Sequence, residues 1–300
     1  MAANRRADIL QGCNPLRSRS SSNHRNFVIT NGGITRRRIL RSAATGGLAA
    51  AATPGAVGAA RAQSARKTFV FVSGAFCGGW IWRRVTDRLE QDGHKVFAPS
   101  LTGLAERSHL LSKDVDLDTH IADVVNLIKW ESLENVCLVA WSYAGFVGSG
   151  ALESIGDRVS SVVWLDAYIP ADGQRVADYA AEPVRKGIQM AIDKGEAGVR
   201  GSAHYPASVV AERDRAFAES KVTPHPVGTY LQQIKVSGAL QKVAKKTYIR
   251  LPKFPQPPFD KALADCKSDK SWATFELPDF GHMAMLDAPD RVSELILQAA

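Results

Sequence analysis

The fold class predicted for this chain is α/β, with a mostly parallel sheet flanked by helices, and three observations predict it. From Lys67 onward, short β-branched and aromatic runs alternate with longer stretches of helical period. The runs are continuously apolar rather than strictly alternating, as befits strands covered on both faces. A glycine-rich loop follows the first run and a serine closes the third, so chemistry-bearing residues fall at strand ends, where a parallel sheet opens its crevice.

In chain order, the apolar runs predict strands over 68–73, 95–98, 136–141, 161–165, 247–251 and 272–277. Between them, Ile81, Val85 and Leu89 lay an apolar stripe on one helix, Ile121, Val124, Val125 and Ile128 on a second, and Val292, Leu295, Ile296 and Ala299 on the last. Asp118 and Asp287 are read as N-caps of the second and last helices. Right-handed crossovers join such strands. One interval breaks the alternation: about 75 residues after Pro170 read as helical over 174–181, 183–194, 208–219 and 228–244 with no strand, too long for one crossover. A helical lid over about 171–245, inserted above the sheet, is expected.

The formal charge of +8 would suit a nucleic-acid binder, but it is unevenly spread. Residues 1–62 hold 10 of the 38 Lys and Arg and 1 of the 30 Asp and Glu, so residues 63–300 are close to neutral. Nucleic acid is therefore not expected as a partner of that domain, and the apolar content excludes disorder, a collagen-like repeat or a membrane bundle. The excess charge centres on Thr35-Arg36-Arg37-Arg38-Ile39-Leu40-Arg41, followed by an Ala/Gly-rich stretch and a small-residue site at Ala60-Arg61-Ala62. This layout resembles a twin-arginine export signal, which implies a leader over 1–62, handover of folded cargo to the export machinery, and a periplasmic or secreted destination. Cys13, Cys77, Cys137 and Cys266 form no Cys-x-x-Cys pair, so neither a disulfide framework nor a zinc site is expected.

The chemistry is concentrated in Ala140-Trp141-Ser142-Tyr143-Ala144, where a buried strand ends on a serine with a small residue two positions to either side and a helix beyond. A turn that tight between strand and helix leaves no room for bulk at the flanking positions. Glycine is usual there, so the motif is relaxed, and a serine capping a helix is the plainer alternative. Ser73-Gly74-Ala75-Phe76-Cys77-Gly78-Gly79 can bring backbone N–H groups to the mouth of the sheet. The dinucleotide and phosphate-loop glycine patterns are absent. His282, in a loop before the last helix, could reach Ser142; otherwise it is a surface histidine.

Serine followed at the end by histidine, on such a sheet, resembles the α/β-hydrolase superfamily. Gly78-Gly79-Trp80-x-Trp82, Leu101-Thr102-Gly103-Leu104, Glu106-Arg107-Ser108-His109, Leu117-Asp118-Thr119-His120-Ile121, Thr247-Tyr248-Ile249-Arg250 and Gly281-His282-Met283-Ala284-Met285 are similar to bacterial esterases related to plant methylesterases and hydroxynitrile lyases. The resemblance implies Ser142 as nucleophile, His282 as general base, the N–H groups of Ala75 and Tyr143 as oxyanion hole, and no metal or organic cofactor. The loop that usually carries the acid reads Pro252-Lys253-Phe254-Pro255-Gln256-Pro257-Pro258 and has none. Two candidates remain: Asp166, at an earlier strand end, is favoured, and Asp260 is the alternative. Ser73 stands where the family usually has a histidine bracing the oxyanion loop. Arg107, Ser108 and His109 read as bracing, His94 as a solvated turn residue, and His204 and His225 as lid histidines without an evident partner. Phe76, Trp80 and Trp141 are expected to line a pocket for a small apolar ester with a bulky or aromatic group. Against ester hydrolysis stand a ligand-binding protein that has lost turnover, and a lyase or C–C hydrolase on the same fold.

Overall fold

The computed structural model describes residues 66–300. The arginine-rich segment and the expected cleavage site lie outside them. β1 (Thr68–Val72), α1 (Arg83–Gln91), β2 (Lys95–Phe97), α2 (Leu117–Trp130), β3 (Val136–Trp141), α3 (Ala144–Ile155) and β4 (Val159–Leu165) alternate along the first part of the domain. An insertion follows, with α4 (Glu182–Asp193), β5 (Gly198–Val199), α5 (Glu212–Lys221), β6 (His225–Pro226), α6 (Gly228–Leu231) and α7 (Ala239–Lys242). The alternation resumes with β7 (Lys245–Arg250), α8 (Pro257–Ser268), β8 (Trp272–Glu276), α9 (Ala284–Asp287) and α10 (Pro289–Ala299).

Six strands form one sheet in the order β2-β1-β3-β4-β7-β8, parallel throughout. Side chains of successive residues point to opposite faces. Phe69 and Phe71 therefore join Val139, Val163, Ile249 and Leu295 in one core layer, while Val70 and Val72 join Leu138, Val162, Trp164 and Phe146 in the other. Both layers consist of buried side chains, which is why β1 and β3 read as nearly continuous apolar runs. The expected helical stripes also face the core: Ile81, Val85, Leu89, Val124, Ile128, Val292, Leu295 and Ile296 are all buried.

Local chemistry corrects several expectations. The N-cap of α2 is Asp116, not Asp118: its carboxylate accepts the Thr119 N–H at 2.9 Å, and Thr119 Oγ1 in turn accepts the Asp116 N–H. Asp287 does not cap the last helix; it ends α9 and accepts the Ala211 N–H at 3.0 Å, tying the insertion to the C-terminal region. His94 is buried rather than solvated, its Nδ1 accepting the Lys67 N–H and its ring edge-on to Phe69.

Within the insertion, 174–181 forms only a short 3₁₀ turn at Val176–Tyr179, because the Asp178 carboxylate captures the Arg175 N–H and the chain then extends toward Pro183. The helix expected over 228–244 is split in two. Gly238 adopts φ +99° there, and Glu153 of α3 takes the N–H groups of both Ser237 and Ala239. The interval also holds a strand pair that the pattern does not reveal: β5 and β6 pair antiparallel, Val199 opposite His225. Two residues per strand carry too little periodicity to be legible in the sequence.

The insertion is anchored to the sheet domain at Arg84 of α1, whose guanidinium grips the Asp214 carboxylate with two bonds of 2.6 and 2.9 Å and also donates to the Leu286 carbonyl. The Arg84 bond holds the Asp214 pKa below its ordinary value against the opposing effect of burial. A depressed folded pKa contributes stability that is complete above the unfolded value, about pH 4, and is lost as pH falls through the folded value. Arg84→Gln is therefore expected to unfold at lower urea concentration at pH 7, with the gap to wild type closing as pH falls below 4; a gap independent of pH would refute the linkage.

Candidate active site

β3 is buried along its whole length and delivers Ser142 to the carboxyl edge of the sheet. There the backbone turns into the left-handed region, with φ +59° at Ser142, a strained conformation for a residue with a side chain. The turn is held from outside: the Ser142 N–H donates to the Leu165 carbonyl at 3.3 Å, and the Ser142 carbonyl accepts the Tyr168 N–H at 3.2 Å. Close approach is secured one residue beyond the expected flanking position. A Cβ on Gly145 would lie 1.9 Å from the Tyr168 carbonyl oxygen, so α3 can sit against the 166–168 loop only with glycine there. Ala140 and Ala144 are fully buried and fit the remaining space.

Asp166 follows β4 at the neighbouring strand end. It too has positive φ, +45°, and its N–H donates to the Ile249 carbonyl at 2.7 Å. Its carboxylate is fully buried and receives three donors: Arg250 Nη1 at 2.6 Å and the Leu251 N–H at 3.0 Å on Oδ1, and His282 Nδ1 at 2.6 Å on Oδ2. Because Oδ2 takes the Nδ1 proton, His282 presents Nε2 as an acceptor, 2.9 Å from Ser142 Oγ. Ser142, His282 and Asp166 are thus joined in one hydrogen-bonded line, assembled from the ends of β3 and β4 and the loop after β8. Asp260 is not part of it. That residue sits on the other side of the Arg250 guanidinium, 2.7 Å from Nη2, with its side chain 60% exposed.

The histidine is fixed by its backbone and by its ring. The His282 and Met283 N–H groups donate to the Ser208 and Val209 carbonyls of the insertion at 2.9 and 2.7 Å, and the Trp141 indole N–H donates to the His282 carbonyl at 2.9 Å. Phe254 stacks on the imidazole with centroids 4.3 Å apart and planes 22° from parallel, and Trp141 packs at 4.9 Å.

The glycine-rich loop lies directly against this site. A Cβ on Gly74 would come within 2.8 Å of the Trp141 ring and 3.0 Å of Ser142 Cβ, which is the physical reason for glycine at that position. Ser73 braces the loop in place of the usual histidine: its buried hydroxyl donates to the Gly78 carbonyl at 2.9 Å, across the loop's base. Gly79 donates to Ser100 Oγ at 2.8 Å, and Ser100 in turn to Glu106. Arg107 braces the neighbouring loop, binding Asp123, Thr102 Oγ1 and the Ser100 carbonyl.

The aromatic residues distribute differently from one another. Phe76 flanks Ala75 on the glycine-rich loop, with φ +67°. Trp141 is buried behind His282. Trp80 lines a separate groove of about 240 Å³ with Arg83, Glu90, Val96 and Glu106, a lining that contains neither Ser142 nor His282. A larger cavity of about 600 Å³ lies between Tyr168, Tyr179 and the start of α8.

Three residues at the site were given no role in the sequence: Arg250, Gly145 and His120. His225, expected as a lid histidine without an evident partner, is instead fully buried, and its Nδ1 accepts the Phe76 N–H at 3.2 Å. Arg250 did leave a signal, since a charged residue inside Thr247-Tyr248-Ile249-Arg250-Leu251 must find a buried counter-charge. Burial opposes its charge, yet Asp166 and Asp260 together hold its pKa above the ordinary value. Removing this partner would strand the Asp166 carboxylate in a dry site. Arg250→Met is expected to destabilise the fold by about 3 kcal/mol in urea unfolding, the scale for breaking a buried ion pair; a change within error would show that Asp166 does not depend on it.

Residues 69–295 match the model of the alpha/beta hydrolase family. A carbendazim-hydrolyzing esterase from a Nocardioides species is 30% identical over 235 residues, covering 75% of this chain and 96% of that protein. Methylesterase 10 of Arabidopsis thaliana is 25% identical over 260 residues, covering 77% of this chain and 91% of its own. Among solved structures, an extracellular alpha/beta-hydrolase from a Paenibacillus species superposes with a TM-score of 0.69 at 22% identity, covering 78% of this chain and 99% of that one. Relatives of the esterase type support ester hydrolysis as the activity. The parallel sheet, the serine elbow at the end of β3 and the match across nearly all of the described domain place this chain in the alpha/beta hydrolase family.

Proposed function

We propose that this protein is a serine-dependent carboxylic ester hydrolase that works through an acyl-enzyme on esters with a bulky apolar or aromatic group. The observation that carries the reading is the line from Ser142 Oγ to His282 Nε2, 2.9 Å, and from His282 Nδ1 to Asp166 Oδ2, 2.6 Å. A serine hydroxyl attacks an ester carbonyl only if a base removes its proton as the new bond forms. In this mechanism His282 takes that proton, Asp166 holds the ring in the required tautomer and offsets its positive charge, and the oxyanion is met by the N–H groups of Ala75 and Tyr143. His282 then protonates the departing alcohol. Water, deprotonated by the same imidazole, releases the acid.

The closeness of Gly74 to Ser142 supports this use of the Ala75 N–H, and Tyr143 follows the nucleophile at the start of α3. Phe76, beside the oxyanion loop, supplies an apolar surface for the substrate, and the inserted segment acts as its lid. The name of the similar methylesterase favours a methyl group as the alcohol half. The leader over 1–62 would route the folded enzyme to the periplasm or the exterior.

With p-nitrophenyl esters, Ser142→Ala should lose at least about 10³-fold in kcat/KM and its fluorophosphonate labelling. Asp166→Asn should lose about 10²- to 10⁴-fold, since the amide reverses the donor pattern facing Nδ1. Asp260→Asn, altering an exposed partner of Arg250, should stay within roughly threefold. Retained activity in Ser142→Ala would overturn the enzyme reading, and an unchanged rate in Asp166→Asn would overturn the assignment of the acid. For the leader, replacing Arg36 and Arg37 by lysine should leave the protein in the cytoplasmic fraction of a bacterial host; unchanged export would exclude the twin-arginine route.

A further inference from the structure

We infer that His225, carried by the insertion, is a positioning residue for the oxyanion loop, holding the backbone of Phe76 and through it the adjoining Ala75. The inference rests on the mechanism proposed above and adds to it a role for the insertion.

Phe76 needs outside support, because a phenylalanine at φ +67° is strained. Both polar groups of its backbone are tied to one short segment of the insertion. The Phe76 N–H donates to His225 Nδ1 at 3.2 Å, and the Phe76 carbonyl accepts the Thr223 N–H at 3.0 Å. The segment is itself anchored, since Thr223 Oγ1 accepts the Ala105 N–H at 3.1 Å and His225 pairs with Val199 across the two-stranded sheet.

The histidine is fully buried in a cage of rings: Tyr143 at 4.6 Å between centroids, Tyr230 at 5.1 Å, Phe76 at 5.6 Å and His120 at 5.8 Å. It therefore touches both segments that furnish the proposed oxyanion donors. Tyr143 is fixed in turn from below. The Thr102 carbonyl can only accept, so His120 Nε2 carries the proton and its Nδ1 accepts the Tyr143 hydroxyl at 2.9 Å.

An imidazole in such a cage has a cost. With Nδ1 accepting from Phe76, the proton sits on Nε2, which is buried without a hydrogen-bond partner among the described residues. A leucine would fill the cage without an orphaned donor, so what the imidazole contributes is the acceptor at Nδ1. Burial, and secondarily His120, push the His225 pKa far below its ordinary value, which keeps the ring neutral and that acceptor available.

The test uses the full chain, with p-nitrophenyl ester turnover and inhibition by an aryl trifluoromethyl ketone, whose serine adduct carries an oxyanion. Asparagine places its amide oxygen where Nδ1 was, whereas glutamine reaches only the Nε2 position. His225→Leu and His225→Gln are expected to lose about 10- to 100-fold in kcat with KM within about threefold, and to bind the ketone more weakly by the same factor. His225→Asn should recover most of both. If His225→Leu fails to fold, the Asn and Gln pair, equal in polarity, decides. Turnover within threefold of wild type in all the folded variants, or an equal loss in Asn and Gln, would overturn the inference. Activity that survives Ser142→Ala would instead overturn the underlying mechanism, so the two failures are distinguishable.

Discussion

The Asp166 carboxylate is the point on which the site depends. It is fully buried, and it draws three donors from two separate stretches of chain: Arg250 and Leu251 at the end of β7, and His282 after β8. A buried carboxylate is tolerated only when its charge is matched and its lone pairs are used. The same bonds that meet that requirement bring the neighbouring strand ends and the histidine loop into register. Arg250 occupies the strand end from which the family usually presents its acid. Asp166 itself lies at the end of β4, one strand nearer Ser142.

Around that point the strain is local and evenly supported. Ser142, Asp166 and Phe76 all have positive φ without being glycine. Each is over-determined by bonds from another element: Leu165 and Tyr168 hold Ser142, Ile249 holds Asp166, and Thr223 with His225 holds Phe76. Strained backbone of this kind persists only where surrounding bonds hold it. The insertion takes part on two sides, since Ser208 and Val209 fix the histidine loop while Thr223 and His225 fix the glycine-rich loop. Its role is therefore architectural, and the Arg84 to Asp214 bonds tether it to α1.

Much of the domain was legible because its signals are dense. The main-sheet strands are built around short apolar runs between helical stripes, and that pattern has one economical solution in space. The insertion was legible as an interval but not in detail. Its helices are interrupted by side chains from elsewhere in the chain, as when Glu153 takes the N–H groups of Ser237 and Ala239. No local propensity encodes a carboxylate arriving from another helix. The cap of α2 was misplaced by two residues for a different reason: Asp116 and Asp118 are both good caps, and only the reciprocal Thr119 bond chooses between them.

By itself, the sequence determined the alternating architecture, the serine at a strand end with small neighbours, the glycine-rich loop and a histidine in the last loop, because each follows from the physics of adjacent residues. Tertiary structure alone decided the rest. It put Asp166 rather than Asp260 against His282, turned Arg250 into the counter-charge and buried His225 between Phe76 and Tyr143. Those choices depend on distances between residues tens to more than a hundred positions apart. Such distances are set by the packing of the whole sheet and its insertion, and short-range pattern carries no record of them.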